Sequence, residues 1–274
     1  MKRKWMAYPY VLWMIIFTII PLALVLCYSV VSVDANGIHF TLEHIKRVFE
    51  PIYIMVFKRS LSLAAISTAI CLILGYPMAM ILASKNLTKK STLVVLFVIP
   101  MWMNFLARTY AWMTLLEKNG IVASIFNFFG LNAPNLLYTE KAVVLGMVYN
   151  FLPFMVLPIY SVLVKMDKAV LDAAEDLGAP PFTVFKRIIF PLSLPGVLSG
   201  VIMVFMPALT TFVISRLLGG GQFTLIGNLI QEQFLTTRNW GFGSALSIVL
   251  MLIMVVGMGI NLKYEKENEG GGLW

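Results

Sequence analysis

The chain has 274 residues, of which 59% are hydrophobic and only 12% charged, and its formal net charge is +8. A soluble domain is about 25% charged, so this composition excludes a water-soluble globular protein, which could not hide that much apolar surface. The positive excess reads as membrane topology and contact with anionic lipid, and no nucleic-acid partner is expected.

Six runs lack Asp, Glu, Lys and Arg: Trp5–Val33, Ser60–Ser84, Ser91–Ala107, Ala142–Val164, Ile188–Ser215 and Asn239–Leu262. About 20 apolar residues cross a bilayer, and all but the third run reach that length. The third continues past Arg108 through Thr109–Leu116. The expected fold class is therefore an all-α membrane protein of six transmembrane helices, one membrane domain over residues 1–264. Residues 265–274, charged and then glycine-rich, are expected to form a disordered tail. Densely basic short segments at Lys2, Arg3 and Lys4 and at Lys85, Lys89 and Lys90 place both termini in the cytoplasm.

The first run follows a basic N-terminus but is too long for a signal peptide and lacks a small-x-small site after it, so an uncleaved span is expected. Between the first two spans, Thr41–Phe57 reads as an amphipathic segment with Phe40, Ile45, Val48 and Phe49 as its apolar contacts. His39 and His44, five apart, read as solvated rather than as a metal pair. Gly75, Tyr76 and Pro77 mark a kink near the inner end of the second span. Cys27 and Cys71 lie in apolar runs and point to neither a disulfide nor a metal.

The third span carries Trp102, Asn104, Arg108, Thr109, Tyr110 and Trp112. Arg108 is the fixed charge inside it; such a charge faces a pathway or bundle interior, or else snorkels to the interface, and both readings stay open. Asn119–Thr139 and Leu217–Gln231 read as external or interfacial segments. Tyr149, Asn150 and Phe154 in the fourth span, and Thr210, Thr211 and Ser215 in the fifth, are candidates for a translocation pathway or for helix packing. Pro153, Pro158, Pro195 and Pro207 can kink their helices and free carbonyls. Ionisable pairs at mid-membrane and inverted repeats, the marks of an ion-driven transporter, are not visible. Neither a phosphate-binding loop nor a hydrolase or zinc motif is present, so the chain does not read as an enzyme or as a P-loop ATP binder.

The most informative segment is the polar stretch Lys165–Arg187 between the fourth and fifth spans. On a helix, Ala169, Val170, Ala173, Ala174 and Leu177 share one face, with Lys168, Asp172, Glu175 and Asp176 opposite. Pro180-Pro181 stops that helix, and Pro181 can open a second. The run Asp172-Ala173-Ala174-Glu175-Asp176-Leu177-Gly178, followed by Ile188-Ile189-Phe190-Pro191, resembles the EAA loop of binding-protein-dependent ABC importer permeases. Asp172 stands where the family has Glu, and Phe190 where Leu is usual. The resemblance implies the six-span type I permease fold and a coupling helix seated in a groove of an ATPase subunit. The coupling residues are then Asp172, Ala173, Ala174, Glu175, Asp176, Leu177, Gly178, Ile188 and Pro191. The alternative is an ordinary amphipathic loop helix.

Leu218-Gly219-Gly220, Leu225-Ile226-Gly227-Asn228, Gln233-Phe234-Leu235, Arg238-Asn239-Trp240 and Phe242-Gly243-Ser244-Ala245 follow one another before and into the last span. With Leu74-Gly75-Tyr76-Pro77 and Leu152-Pro153-Phe154-Met155-Val156, they resemble the spermidine/putrescine permeases of that family over essentially the whole chain. That resemblance implies a polyamine cargo, a second permease of similar fold and two ATPase subunits that carry ATP and magnesium. It further implies an extracytoplasmic polyamine-binding protein and a multi-pass location in the inner or plasma membrane of a prokaryote. Ammonium groups prefer carboxylates and aromatic faces. Glu232, near Phe234 and Trp240 in sequence, is thus the candidate cation contact, with Glu117 second; a solvated loop charge, or a contact to the binding protein, is the alternative. The pathway candidates are then Trp102, Asn104, Arg108, Tyr110, Tyr149, Asn150, Phe154, Thr210 and Glu232. Another small solute carried by the same machinery is the nearest rival reading.

Overall fold

The computed structural model describes residues 8–34, 37–84, 90–132 and 135–269. The basic residues Lys2, Arg3, Lys4, Lys85 and Lys89, and tail residues 270–274, lie outside these.

Helix α1 spans Tyr8–Val30. Its turn Ile15–Ile19 is π-helical, with the Ile20 N–H bonded to the Ile15 carbonyl. Pro21 is the cause: it has no N–H to give to residue 17, and the widened turn before it absorbs the mismatch. Among the described residues of α1 only Ser29 is buried, so its apolar side chains are left for lipid or another chain.

An antiparallel hairpin follows, β1 Val31–Asp34 against β2 Gly37–Phe40, with Val31 opposite Phe40. Val31 and Val33 stand opposite Phe40 and Ile38, an alternation that suits a hairpin and that the sequence reading passed over. Helix α2 (Glu43–Val48) is short because Pro51 opens the next helix, and proline is suited to a first turn. Val48 is buried as expected, but Phe40 and Phe49 are exposed and do not serve as contacts within the chain. Helix α3, Pro51–Ala83, starts well before the uncharged run and carries Lys58 and Arg59 in its early turns.

The third apolar run is not one straight span. Helix α4 (Lys90–Trp102) contains Pro100 and ends there; α5 (Phe105–Leu116) begins after a break, and the axis turns by 89°. Asn104 makes the break specific: its Oδ1 accepts from Leu106 N at 2.8 Å and Ala107 N at 3.2 Å, capping donors that a continuous helix would have used itself. Among the described residues five helices are long and apolar enough to cross a membrane alone, and there are six if the bent pair is counted as one span. Helix α6 (Ile121–Phe128) is too short to span.

Helices α7 (Glu140–Lys165), α8 (Lys168–Asp176) and α9 (Pro181–Thr210) follow. The fifth span ends at Thr210, where Thr211 turns extended, so Ser215 belongs to the separate α10 (Val213–Leu218) rather than to that span. After α11 (Ile226–Leu235), α12 runs from Trp240 to Glu269. The backbone of 265–269 is thus helical, not disordered: Glu and Lys are good helix formers and extend a helix already nucleated.

The chain divides into two compact units. The first, residues 1–58 and 225–256, gathers Val48, Leu229, Phe242 and Leu246 as its core. Its Arg47 guanidinium lies 4.6 Å from the centre of the Phe242 ring. The second, residues 59–224 and 257–274, is organised on α7, against which α9 packs along its length. Close approach there requires glycine: a Cβ on Gly200 would sit 2.8 Å from Met155 Sδ and one on Gly196 2.9 Å from the Pro158 carbonyl. Small residues four apart let membrane helices meet by van der Waals packing. Polar links across α3 and α7 supplement this, such as Ser67 Oγ donating to Met147 Sδ.

Candidate functional site

The segment joining α7 to α9 is built from strong local signals. Asp167 caps α8, its Oδ1 accepting from Ala169 N at 3.0 Å. At the other end Gly178 is left-handed (φ +72°), the Ala179 N–H returns to the Ala174 carbonyl at 3.1 Å, and the Gly178 N–H to Glu175 at 2.9 Å. That pair of bonds is the Schellman closure, which calls for glycine. Apart from Gly178 and its two chain neighbours, no atom of the described residues lies within 4 Å of where a Gly178 Cβ would stand, so the need for glycine is conformational as far as these residues are concerned.

The predicted apolar face of α8 divides in two. Ala174 is buried, and Leu171, which the predicted face did not include, is half-buried beside it, turned toward the chain's own helices. Ala169, Val170, Ala173 and Leu177 are exposed, Leu177 at 87%. Asp172, Glu175 and Asp176 are exposed on a third arc. A nine-residue helix that presents alanine, valine and leucine outward, after satisfying its own inner face, offers an unfilled apolar stripe.

The distal half of the motif shapes the entry to α9. Phe185–Ile189 is a π-helical turn, with Phe190 N–H reaching Phe185 O. Pro191 imposes it, as Pro21 does in α1. Ile188 is half-buried in this turn and Pro191 is exposed at its end.

Two links join this segment to the spans. Leu171 and Ile189 line a cavity of about 260 Å³ with Met80, Ala83, Leu163 and Met166. Further along, Tyr76 on α3 meets Ser193 on α9, oxygen to oxygen at 2.7 Å. Ser193 Oγ donates to the Phe190 carbonyl at 2.9 Å. The serine proton is thereby used, so Tyr76 is the donor of the shared bond. The Tyr76 ring also packs on Phe185 edge-on at 5.7 Å and on Phe190 at 5.9 Å. Sequence reading placed Tyr76 only in a kink and missed Ser193; a lone tyrosine and serine in apolar runs gave no pairing signal.

The pathway candidates are dispersed. Arg108 is 8% exposed and its Nε has no hydrogen-bond partner. It lines a cavity of about 480 Å³ with Tyr149, Leu152, Pro153, Met78, Leu96 and Phe97. Tyr149 also meets Trp112 edge-on at 5.3 Å. The two line a second, larger space of about 710 Å³, to whose lining Glu140 and Lys141 also belong. Asn150 is buried, with Nδ2 donating to the Gly146 carbonyl at 2.8 Å and Oδ1 unpartnered. Trp102 is 80% exposed, Tyr110 and Phe154 are partly exposed, and Asn104 is a helix cap. Thr210 Oγ1 donates to the Met206 carbonyl of its own helix. Glu232 is exposed on α11, in the other unit.

Residues 72–266 match the family described as binding-protein-dependent transport system inner membrane component. The chain is 42% identical to the spermidine/putrescine transport system permease protein PotB of Haemophilus influenzae over 243 residues, 87% of this chain and 85% of that protein. It is 39% identical to PotB of Escherichia coli over 243 residues, 87% of this chain and 88% of that one. Among solved structures, a bacterial alginate ABC transporter in complex with an alginate pentasaccharide-bound periplasmic protein superposes with a TM-score of 0.79. It has 16% identity and covers 95% of this chain and 93% of the matched one.

Proposed function

Because the chain belongs to the family of binding-protein-dependent transport system inner membrane components, we propose that it is a membrane-spanning permease subunit of an ATP-driven importer of polyamines, spermidine and putrescine. The observation that carries the cargo assignment is the 42% identity to a spermidine/putrescine permease across 87% of the chain. The exposed apolar stripe of α8 supports the energy source, since the chain has no phosphate-binding loop of its own and needs a surface on which a separate ATPase can seat.

In this reading the importer contains a second permease of similar fold, two ATPase subunits holding ATP and magnesium, and an extracytoplasmic polyamine-binding protein, in the cell membrane of a prokaryote. The binding protein complexed with the structural neighbour supports a partner of that kind. Both termini and α8 face the cytoplasm. Val170, Ala173 and Leu177 seat in the ATPase groove, and Asp172, Glu175 and Asp176 meet its rim. When ATP closes the ATPase pair, α8 moves as a rigid unit because both of its ends are capped. Leu171 and Ile189 carry that movement into α3 and α9, and the Tyr76–Ser193 bond makes the ends of those spans move together. The spans rock between inward- and outward-facing arrangements, and polyamine released by the binding protein enters between the two permeases. Tyr149 and Asn150 are the pathway candidates on α7, and Glu232 with Phe234 and Trp240 is the candidate entry contact. No carboxylate lies within an apolar span of this chain, so passage is weakly bound and transient, and selectivity resides chiefly in the binding protein.

The test is uptake of labelled spermidine and putrescine in cells lacking the chain, before and after its restoration. Restored uptake that unlabelled polyamine competes away, and that fails without the ATPase subunit, is the expected outcome. A chain present in the membrane with its partners that restores no polyamine uptake contradicts the cargo assignment.

A further inference from the structure

A buried arginine with an unpartnered nitrogen needs a counter-charge, and the described residues do not supply one. Arg108 is 8% exposed, its Nε has no hydrogen-bond partner, and the lining of the 480 Å³ cavity it faces contains no carboxylate. Nor is there an Asp or Glu within the apolar stretches of the described spans: the thirteen acidic residues fall in the hairpin, in the short helices α2, α8 and α11, beside or at helix ends, and in the last turns of α12. An uncompensated charge in so apolar a place is costly, which is why intramembrane arginines pair.

The lining of the cavity narrows what the missing group can be. It runs from Tyr149, Leu152 and Pro153 near the middle of α7 to Ile81 and Leu82 in the last turn of α3 and Leu93 in the first turn of α4, and its walls are almost wholly apolar. A hydrated phosphate headgroup would lose its water among such walls without apolar atoms of its own to fill them. A polyamine, on which the argument rests through the proposed function, is itself cationic and is repelled. What remains is an anionic side chain brought from another protein, with apolar neighbours to fill the walls formed by Met78, Leu96, Phe97 and Leu152.

We propose that the Arg108 cavity is a docking site for a transmembrane helix of the second permease, whose aspartate or glutamate inserts to pair with the Arg108 guanidinium. The pair holds the two permeases in register, as a buried polar group does between helices. It also neutralises a fixed positive charge that would otherwise oppose a cation passing between them.

The experiment uses the assembled transporter, with an affinity tag on this chain, and reads the amount of second permease recovered per tagged chain. Arg108→Gln lowers that recovery by more than about tenfold, as expected when one member of a buried pair is removed. Arg108→Lys retains most of it. Arg108→Glu loses it, and recovery returns when one membrane carboxylate of the second permease is changed to lysine. Undiminished recovery with Arg108→Gln overturns the proposal. So does failure of every such reversal to rescue Arg108→Glu, or rescue of Arg108→Gln by added anionic phospholipid alone. None of these readings depends on the cargo, whereas a wild-type chain that brings down no second permease contradicts the proposed function itself.

Discussion

Gly178 ends α8 in a left-handed conformation, and the consequences of replacing it separate backbone strain from docking. An L-residue there is disfavoured by about 1–2 kcal/mol, with asparagine among the least affected. Gly178→Asn is expected to keep more ATP-driven uptake than Gly178→Ala, both at wild-type membrane levels. Gly178→Asp adds charge beside the exposed stripe and is expected to abolish uptake while the chain stays inserted; normal uptake in that variant would remove α8 from the coupling role. Tyr76 offers a second test. Tyr76→Phe keeps the packing on Phe185 and Phe190 but deletes the bond to Ser193, a loss of about 1 kcal/mol. Ser193→Ala deletes the same bond, so the two changes together should lower the thermal midpoint of the purified complex by less than the sum of the single effects. Strict additivity would mean that the two hydroxyls act independently.

At the scale of the element, α8 presents its residues on three arcs, and substitution distinguishes them. Val170→Asp or Leu177→Asp alters only exposed positions, so the chain should insert normally but lose ATPase recruitment. Leu171→Asp places a charge against the spans and should lower the amount of folded chain in the membrane. Equal effects of all three on insertion would mean that the exposed stripe is packed within the chain. The capping residues and Gly178 were legible because helix ends are decided by local chemistry, in the few residues around Asp167 and Gly178. The division of the apolar face was not, because alanine and leucine look alike to a helical wheel whether they face their own bundle or a partner. The break in the third span escaped for a related reason. Pro100 and Asn104 each announce an end or a start, but a run that is apolar on both sides of them reads as continuous. The helix of residues 265–269 was missed because glycines at 270–272 coloured the reading of the charged turns before them.

At the scale of the whole molecule, the class of membrane protein and the five spans formed by single helices followed from charge-free length alone. The two-unit organisation did not, because it depends on which helices pack, and composition is uniform along the chain. The candidate pathway was the least legible part. Its residues were chosen for polarity, and several of them, Asn104 and Thr210 among them, spend that polarity on their own helices. Arg108 Nε and Asn150 Oδ1, by contrast, are buried without a hydrogen-bond partner among the described residues, and only the arginine carries a charge. The large exposed apolar surface, from α1 to the outer face of α12, belongs to a subunit that works inside a bilayer and beside other chains. The most direct test of the central claim is therefore made on the assembled transporter in proteoliposomes, with binding protein outside, ATP and magnesium inside, and labelled spermidine as the probe. The account predicts accumulation that requires ATP, the binding protein and this chain together, and that stops when Leu177 is changed to Asp. Accumulation that continues without ATP, or that is driven by an imposed ion gradient instead, would contradict it.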